Sequence, residues 1–250
     1  MSKNSLLSVL AIISLSGLVS CGGGAKYSKL QGSTMGTYYS ITYGEGETCS
    51  PQKKAVDNLL AHINSVMSTY ESDSELSLIN QNLQAGEYAI SQELHLVLGA
   101  SLTVWQETRG AFDITIGPLV NLWGFGPTNV EETPTELEQD AVAERIGMEN
   151  LELASNSIVK KQPNLFIDLS AIAKGYAVDR VAEKLNSLGC KDYLVDIGGE
   201  SFAKGQNQAG IPWKIGIEIP SPERRGIQRV LALSDLAIAT SGDYRNFRET

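Results

Sequence analysis

The stretch Phe166-Ile-Asp-Leu-Ser-Ala-Ile-Ala-Lys-Gly-Tyr-Ala-Val-Asp179 places a carboxylate (Asp168), a serine (Ser170) and a lysine (Lys174) within seven residues, at the opening of an amphipathic run. The apolar residues before Asp168 predict a strand that delivers it to a turn, with a helix starting at once. Asp168 and Ser170 are placed to cap that helix, whose first-turn amides form an anion site. Lys174 adds a cation where phosphate oxygens would lie. A carboxylate for a metal, free amides and a lysine so close together suit a pyrophosphate carried with a divalent ion. The same residues also describe a capped helix following a buried strand, and local pattern alone favours that plainer account.

Other polar residues stand in aromatic, glycine-rich turns: Thr34-Met-Gly-Thr37, Ser68-Thr-Tyr70, Gly110-Ala-Phe-Asp-Ile-Thr115, Val195-Asp-Ile-Gly-Gly-Glu200 and Thr240-Ser-Gly-Asp-Tyr-Arg245. Asp113, Asp168, Asp196 and Asp243 each follow apolar residues near a turn, and singly each reads as a turn or cap carboxylate. Several site types are missing from the sequence: zinc-type Cys/His spacing, His-Glu-x-x-His, a Walker loop and a Gly-x-Ser-x-Gly elbow. Gly124-Phe-Gly126 lacks the third glycine and following helix of a dinucleotide fingerprint. His62 and His95 fall in helices with no serine, cysteine or carboxylate neighbour suggesting a triad, and read as solvated surface histidines.

The elements that must position these residues follow from periodicity. Thr34 to Tyr43 alternates and predicts a strand. Pro51 to Met67 predicts an amphipathic helix burying Ala55, Val56, Leu59, Leu60, Ile63, Val66 and Met67. Ser72 and Glu75 have capping-box spacing for a short helix through Ile79. Glu87 to Ile90 predicts an edge strand, and Ser91 opens a helix to Thr108 with Gly110 beyond its end. Phe112 to Ile116 is β-prone, Leu119 to Trp123 a brief helical turn, and Thr128 to Thr135 an exposed acidic stretch. A helix spans Thr135 to Ile146. Leu151 to Leu153 and Ile158-Val159 form a hairpin, Leu165 to Leu169 a strand, and Ala171 to Leu188 a helix. Tyr193 to Ile197, Ser201 to Lys204, Trp213 to Ile219, Gln228 to Leu233 and Ala237 to Thr240 are strand candidates. Helices early and strands later, without regular alternation, predict an α+β fold with mixed or antiparallel sheets and packed helices.

The ends of the chain carry a different message. Lys3 followed by the apolar run Leu6 to Val19 reads as an export signal, too short to span a bilayer. Leu18-Val-Ser-Cys21 resembles a bacterial lipobox, which makes Cys21 the lipidated residue. The expected organisation is a lipoprotein signal over 1–20, a lipidated tether over 21–30 including Gly22-Gly-Gly24, and one domain over 31–250. Two further cysteines, Cys49 and Cys190, lie far apart; they could pair in an oxidising compartment, but the reading adopted is two unpaired thiols. A net charge of -9 argues against nucleic-acid binding, and means that an anionic ligand needs a metal or local cations to offset repulsion.

In order along the chain, Ser33-Thr-Met-Gly-Thr37, Met67-Ser-Thr-Tyr70 with Asp73-Ser-Glu-Leu76, Gly110-Ala-Phe-Asp-Ile-Thr115, Gly117 to Pro127, Asp168-Leu-Ser-Ala171 with Lys174-Gly-Tyr-Ala177, Tyr193 to Gly199, and Thr240 to Arg245 resemble the ApbE family of flavin transferases. The resemblance implies an ApbE-like flavin transferase fold that splits FAD at its pyrophosphate, releases AMP and joins FMN to a threonine of a partner protein. It implies FAD contacts at Met35, Tyr70, Ala111, Phe112, Asp113, Asp168 and Lys174. It also implies a magnesium oxygen from Ala171, whose backbone carbonyl alone can serve. The acceptors it implies are membrane redox-pump subunits, beside an enzyme lipid-anchored to the inner or outer membrane and facing the periplasm. Family members continue into a His-x-x-Asp-Pro motif and late Asp and Thr ligands beyond the point matching Thr250; the expectation is that the sequence is part of a longer protein. The catalytic base is unassigned. Two other readings stand beside this one: an FAD hydrolase giving FMN and AMP, and an FAD-binding periplasmic lipoprotein without turnover.

Overall fold

In the computed structural model the described residues are 26–127, 132–221, 223–224 and 226–242. The expected export signal, Cys21 with the expected glycine tether, residues 128–131 of the stretch expected to be acidic and exposed, and Asp243 to Thr250 lie outside them.

The chain opens with a hairpin. Strands β1 (Tyr27–Thr34) and β2 (Thr37–Gly44) pair antiparallel, with Thr34 opposite Thr37, so Met35-Gly36 is a two-residue turn. Both turn residues have positive φ, 50° and 69°, as the primed hairpin turns demand. β1 begins at Tyr27, inside the segment expected to be tether, and its polar sequence at a sheet edge gives no hydrophobic alternation to read. Helix α1 (Lys53–Met67) buries Val56, Leu60, Ile63 and Val66. Helix α2 (Glu75–Gln81) is capped by Ser74, whose hydroxyl accepts from the Ser77 N–H, and not by the expected Ser72. The far end of α2 is closed by Lys160, fully buried, whose ammonium donates to the carbonyls of Ile79 and Asn82.

Strand β3 (Gly86–Ala89) and the Ser91-capped helix α3 (Gln92–Glu107) follow as expected. Residues 112–116 form no strand. Helix α4 (Gly117–Leu122) precedes helix α5 (Glu136–Ala143), which carries a complete capping box between Thr135 and Glu138. Strands β4 (Leu151–Leu153) and β5 (Ser157–Lys160) join β3 in a three-stranded sheet, order β3-β5-β4.

Residues 165–169 are buried at Leu165, Ile167 and Leu169 yet belong to no sheet. Their backbone bonds go elsewhere. Asn80, itself buried in α2, donates from its amide to the Ile167 carbonyl (2.8 Å) and accepts from the Ile167 N–H (2.9 Å), while Asp168 N–H donates to the Ile114 carbonyl (2.7 Å). One side chain does the work of a neighbouring strand, which is why an apolar run predicts β structure here and the ladder is missing.

Helix α6 (Ala173–Ser187) buries Ala177, Val178, Val181, Ala182 and Leu185 and leads into β6 (Tyr193–Ile197) and β7 (Glu200–Lys204). Strands β8 (Trp213–Glu218), β9 (Ile227–Leu233) and β10 (Leu236–Ile238) complete the described fold. The main sheet has order β1-β2-β6-β7-β10, antiparallel at every pairing. On one face Tyr39, Ile41, Tyr193, Val195 and Ile197 share a core with α1, α2, α3 and α6. On the other, Trp213 and Leu233 of the β8-β9 ribbon pack on Ala203. This is the α+β arrangement the element order predicts.

Cys49 and Cys190 form a disulfide, which corrects the expectation of free thiols. They are 141 residues apart in sequence, but β2 and β6 are neighbours in the sheet and bring the ends of both strands together. Both cysteines are buried.

Candidate active site

A pocket of roughly 580 Å³, within the range usual for small-molecule sites, opens at one end of the helical layer. Four pieces of chain meet there. The β1-β2 turn supplies Met35, Gly36 and Thr37; the end of α1 supplies Asn64 and Met67; the turn after it supplies Ser68 to Glu71; and the start of α6 supplies Ser170, Ala173 and Lys174, with Gly198 between β6 and β7 closing the ring.

Each piece is held by a local device. Met35 occupies the left-handed region, a strained place for a side chain of its size, and that turn puts it at the pocket. Gly198, at φ 59°, donates its N–H to the Tyr38 carbonyl, and a Cβ there would lie 2.6 Å from the Thr37 methyl. No larger residue fits between the two loops without displacing one of them.

The turn carrying Tyr70 is tied from both sides. The Ser68 hydroxyl accepts from the N–H groups of Tyr70 and Glu71, both at 3.1 Å. The Ser68 carbonyl in turn accepts from the Ser74 and Ser77 hydroxyls. Ser74 thus caps α2 and grips the pocket wall at once. The Tyr70 ring is 64% exposed, while its hydroxyl donates to the Phe125 carbonyl at 3.2 Å. Burial of that end, then the charge of Asp168, raises its pKa above the ordinary phenol value, so it is protonated at neutral pH.

The α6 wall differs from expectation in two respects. Asp168 does not cap the helix: its Oδ1 accepts from the Ser170 N–H (2.8 Å) and hydroxyl (2.5 Å), closing a local turn. The N-cap of α6 is Ile172, with no side-chain cap. The Ala173 N–H is taken by the Leu169 carbonyl and that of Tyr176 by Ile172. The first-turn amides of Lys174 and Gly175 have no acceptor among the described residues, the usual state of helix starts. Lys174 is also no free cation: its ammonium is 2.9 Å from Glu200 Oε2, with side chains 31% and 15% exposed.

Of the residues singled out from the sequence, Met35, Tyr70 and Lys174 line the pocket. Ala111, Phe112, Asp113, Asp168 and Ala171 are not in its lining, but the segments bearing them interlock beside it. Asp168 is bonded to Ile114 and is close enough to Tyr70 to shift its pKa. Asp113 accepts from the Thr115 N–H and hydroxyl, and buried Thr115 accepts from the Gly147 N–H. Gly117 makes the fit possible: a Cβ there would lie 2.4 Å from the Phe166 ring and 3.1 Å from Asp168 Cβ. Phe112 is half-buried against the core, and Ala171 is exposed. Asp196 is paired with the Ser201 hydroxyl.

Sequence reasoning missed Asn64, Glu71, Ala173 and Glu200. Asn64 and Met67 lie one turn apart at the end of α1, a spacing that puts both on one face and could have flagged the asparagine. His62 does have a carboxylate neighbour, Glu93 at 2.7 Å, which also accepts from the Tyr176 hydroxyl. His95 is half-buried with a ring nitrogen 2.9 Å from the Ala154 carbonyl. Among the described residues no group of three or more His, Cys, Asp or Glu forms a metal cluster. Donors suited to magnesium at this end are oxygens: the second oxygen of Asp168 and the carbonyl of Ala171, an exposed residue.

An antiparallel sheet under helices, with a ligand-sized pocket where a hairpin turn, a helix end and a helix start converge, defines an α+β small-molecule enzyme scaffold. The ApbE family profile matches residues 35–250. The chain is 43% identical over 245 residues to the FAD:protein FMN transferase of Vibrio cholerae, spanning 96% of this chain and 73% of that protein. It is 39% identical to the FAD:protein FMN transferase of Haemophilus influenzae, with 99% and 75% coverage. The solved flavin transferase ApbE from Vibrio cholerae superposes with a TM-score of 0.83 at 43% identity, covering 90% of this chain and 74% of that one. The apo flavinyl transferase ApbE of Pseudomonas stutzeri gives 0.79 at 33% identity, covering 90% and 73%. The chain belongs to the ApbE family, and its fold is that of the ApbE flavin transferases.

Proposed function

We propose that this chain transfers FMN from FAD to a threonine hydroxyl of a partner protein, with magnesium, releasing AMP. The observation that carries this reading is the convergence of Met35, Tyr70 and Lys174 with the α6 start on one pocket, in a chain that belongs to a family of flavin transferases. Phosphoryl transfer needs positioning and charge neutralisation more than covalent help from the protein, and the pocket is divided accordingly. The Met35 thioether and Tyr70 ring offer apolar surface for a flavin or adenine ring. The Lys174 and Gly175 amides, with the Lys174 ammonium, offer donors to the phosphate oxygens. Asp168 and the Ala171 carbonyl would hold magnesium directly or through water. That ion, when bound, supplies charge neutralisation at the diphosphate.

The proposal extends to location. Cys21 carries lipid, and the domain faces the periplasm from a membrane, near membrane redox-pump subunits as acceptors. The Cys49–Cys190 disulfide supports this, because such bonds persist in oxidising compartments. Multiple acyl chains anchor a protein where one alone binds weakly.

The test is incubation with FAD, magnesium and a threonine-containing acceptor, with AMP followed by chromatography and the acceptor by mass. A gain equal to FMN, dependent on the threonine, is the expected result. AMP released equally without acceptor identifies a hydrolase; FAD bound without AMP identifies a carrier. Absence of both binding and release removes the proposal altogether.

A further inference from the structure

We infer that Glu200 sets the metal dependence of diphosphate binding in this pocket by cancelling the charge of Lys174. The inference rests on the reading that FAD occupies the pocket. Lys174 lines it; Glu200 stands behind, at the start of β7, where the Gly198-Gly199 turn delivers it to the helical face. The two are 2.9 Å apart, and Glu200 Oε2, shielded from solvent, has no partner among the described residues other than that ammonium. Its stabilisation there is therefore chiefly the charge of the lysine, and the lysine's chief counter-charge is Glu200.

Among the described residues, the other ionised groups at this end are acidic. Glu71 lines the pocket, and Asp168 lies near enough to act on Tyr70. Counting Lys174, Glu200, Glu71 and Asp168, the wall is net negative. A dinucleotide's diphosphate brings two more negative charges, and in a partly desolvated site this repulsion is weakly screened. The helix amides supply partial positive charge only. A divalent cation arriving with the ligand restores balance. A lysine released from Glu200 would replace part of that cation's contribution.

The experiment is equilibrium FAD binding, read by quenching of flavin fluorescence, with magnesium and with EDTA, in four proteins: wild type, Glu200→Gln, Lys174→Met and the double variant. The quantity read is the ratio of the dissociation constant in EDTA to that in magnesium. Glu200→Gln is expected to lower this ratio by about tenfold or more, chiefly by tightening binding in EDTA. Lys174→Met is expected to raise it, and the double variant, with the wild-type net charge, to return close to wild type. Equal weakening of Glu200→Gln binding under both conditions, or a double variant that tracks Glu200→Gln, would show a structural role for Glu200 and overturn the inference. Circular dichroism of each variant reports on folding. If wild type binds no FAD even with magnesium, the functional reading itself fails.

Discussion

Two walls of the pocket, Ser68 to Glu71 and Asp168 to Lys174, face the same space but are held differently. In the first, the Ser68 hydroxyl and carbonyl are both engaged, and Tyr70 is tied to Phe125. In the second, the carboxylate closes its own turn, the helix starts without a side-chain cap, and the single cation is matched by Glu200. The first wall is finished, and suits a ring that asks only for shape. The second keeps unspent amide donors at the helix start, which a diphosphate can use. Local satisfaction thus separates the part of a site that packs from the part that does chemistry.

Breaking the scaffold while sparing both walls should give the largest stability effect. The disulfide joins segments next to the ends of β2 and β6, outside the pocket lining, and links residues 141 positions apart. Replacing both cysteines by serine should cost about 2–5 kcal/mol of stability by denaturant titration, with FAD affinity unchanged under native conditions. A matching loss of affinity would mean that the pocket depends on the far end of the sheet.

Asp168→Ala attacks the second wall. It removes two hydrogen bonds to Ser170 but no helix cap, so stability should fall by only about 1–2 kcal/mol, while FAD affinity in magnesium falls at least about tenfold. Calorimetry of binding beside thermal melting separates the two; a purely thermal effect would reduce Asp168 to a turn former. Ser74→Ala attacks the first wall. Losing a cap costs about 1 kcal/mol, and loosening Ser68 should weaken FAD binding about threefold with the magnesium dependence unchanged. A change in that dependence would show that the walls are coupled.

Met35→Asn gives the smallest effect and the one opposite in sign. Asparagine tolerates the left-handed region that Met35 occupies at φ 50°, so the melting temperature should rise, by up to about 0.5–1 kcal/mol in stability, while FAD affinity falls. A variant both more stable and equally tight would show that the strained methionine contributes nothing to binding.

Helices α1 and α3 are legible in the sequence because each carries its own apolar stripe and, for α3, the Ser91 cap. The residues around Met35, Tyr70 and Asp168 are legible as motifs of the family resemblance, but the hairpin turn at Met35-Gly36 is not, since Thr34 to Tyr43 reads as one continuous strand. Strand β1 is not legible either: its positions alternate between half-buried and exposed in the fold, but Tyr27–Thr34 is too polar to show that alternation in the sequence. The capping box at Ser72 and Glu75 misleads because Ser74 and Ser77 offer the same chemistry two residues on, and the hydroxyl grip on Ser68 favours that register. Nothing in the sequence around Lys160, the last residue of β5, shows that its buried ammonium closes α2.

Local patterning by itself therefore determined the helices and most strands, since these depend on neighbours within a few positions; the pocket residues Met35, Tyr70 and Lys174 were legible only through the family resemblance. Tertiary structure alone decided which partners they meet. It put the amide of Asn80 in place of a strand beside Ile167, joined Cys49 to Cys190, and set Glu200 against Lys174. Each of these links residues 26 to 141 positions apart, and only the folded sheet and the helices packed on it bring such pairs within bonding distance.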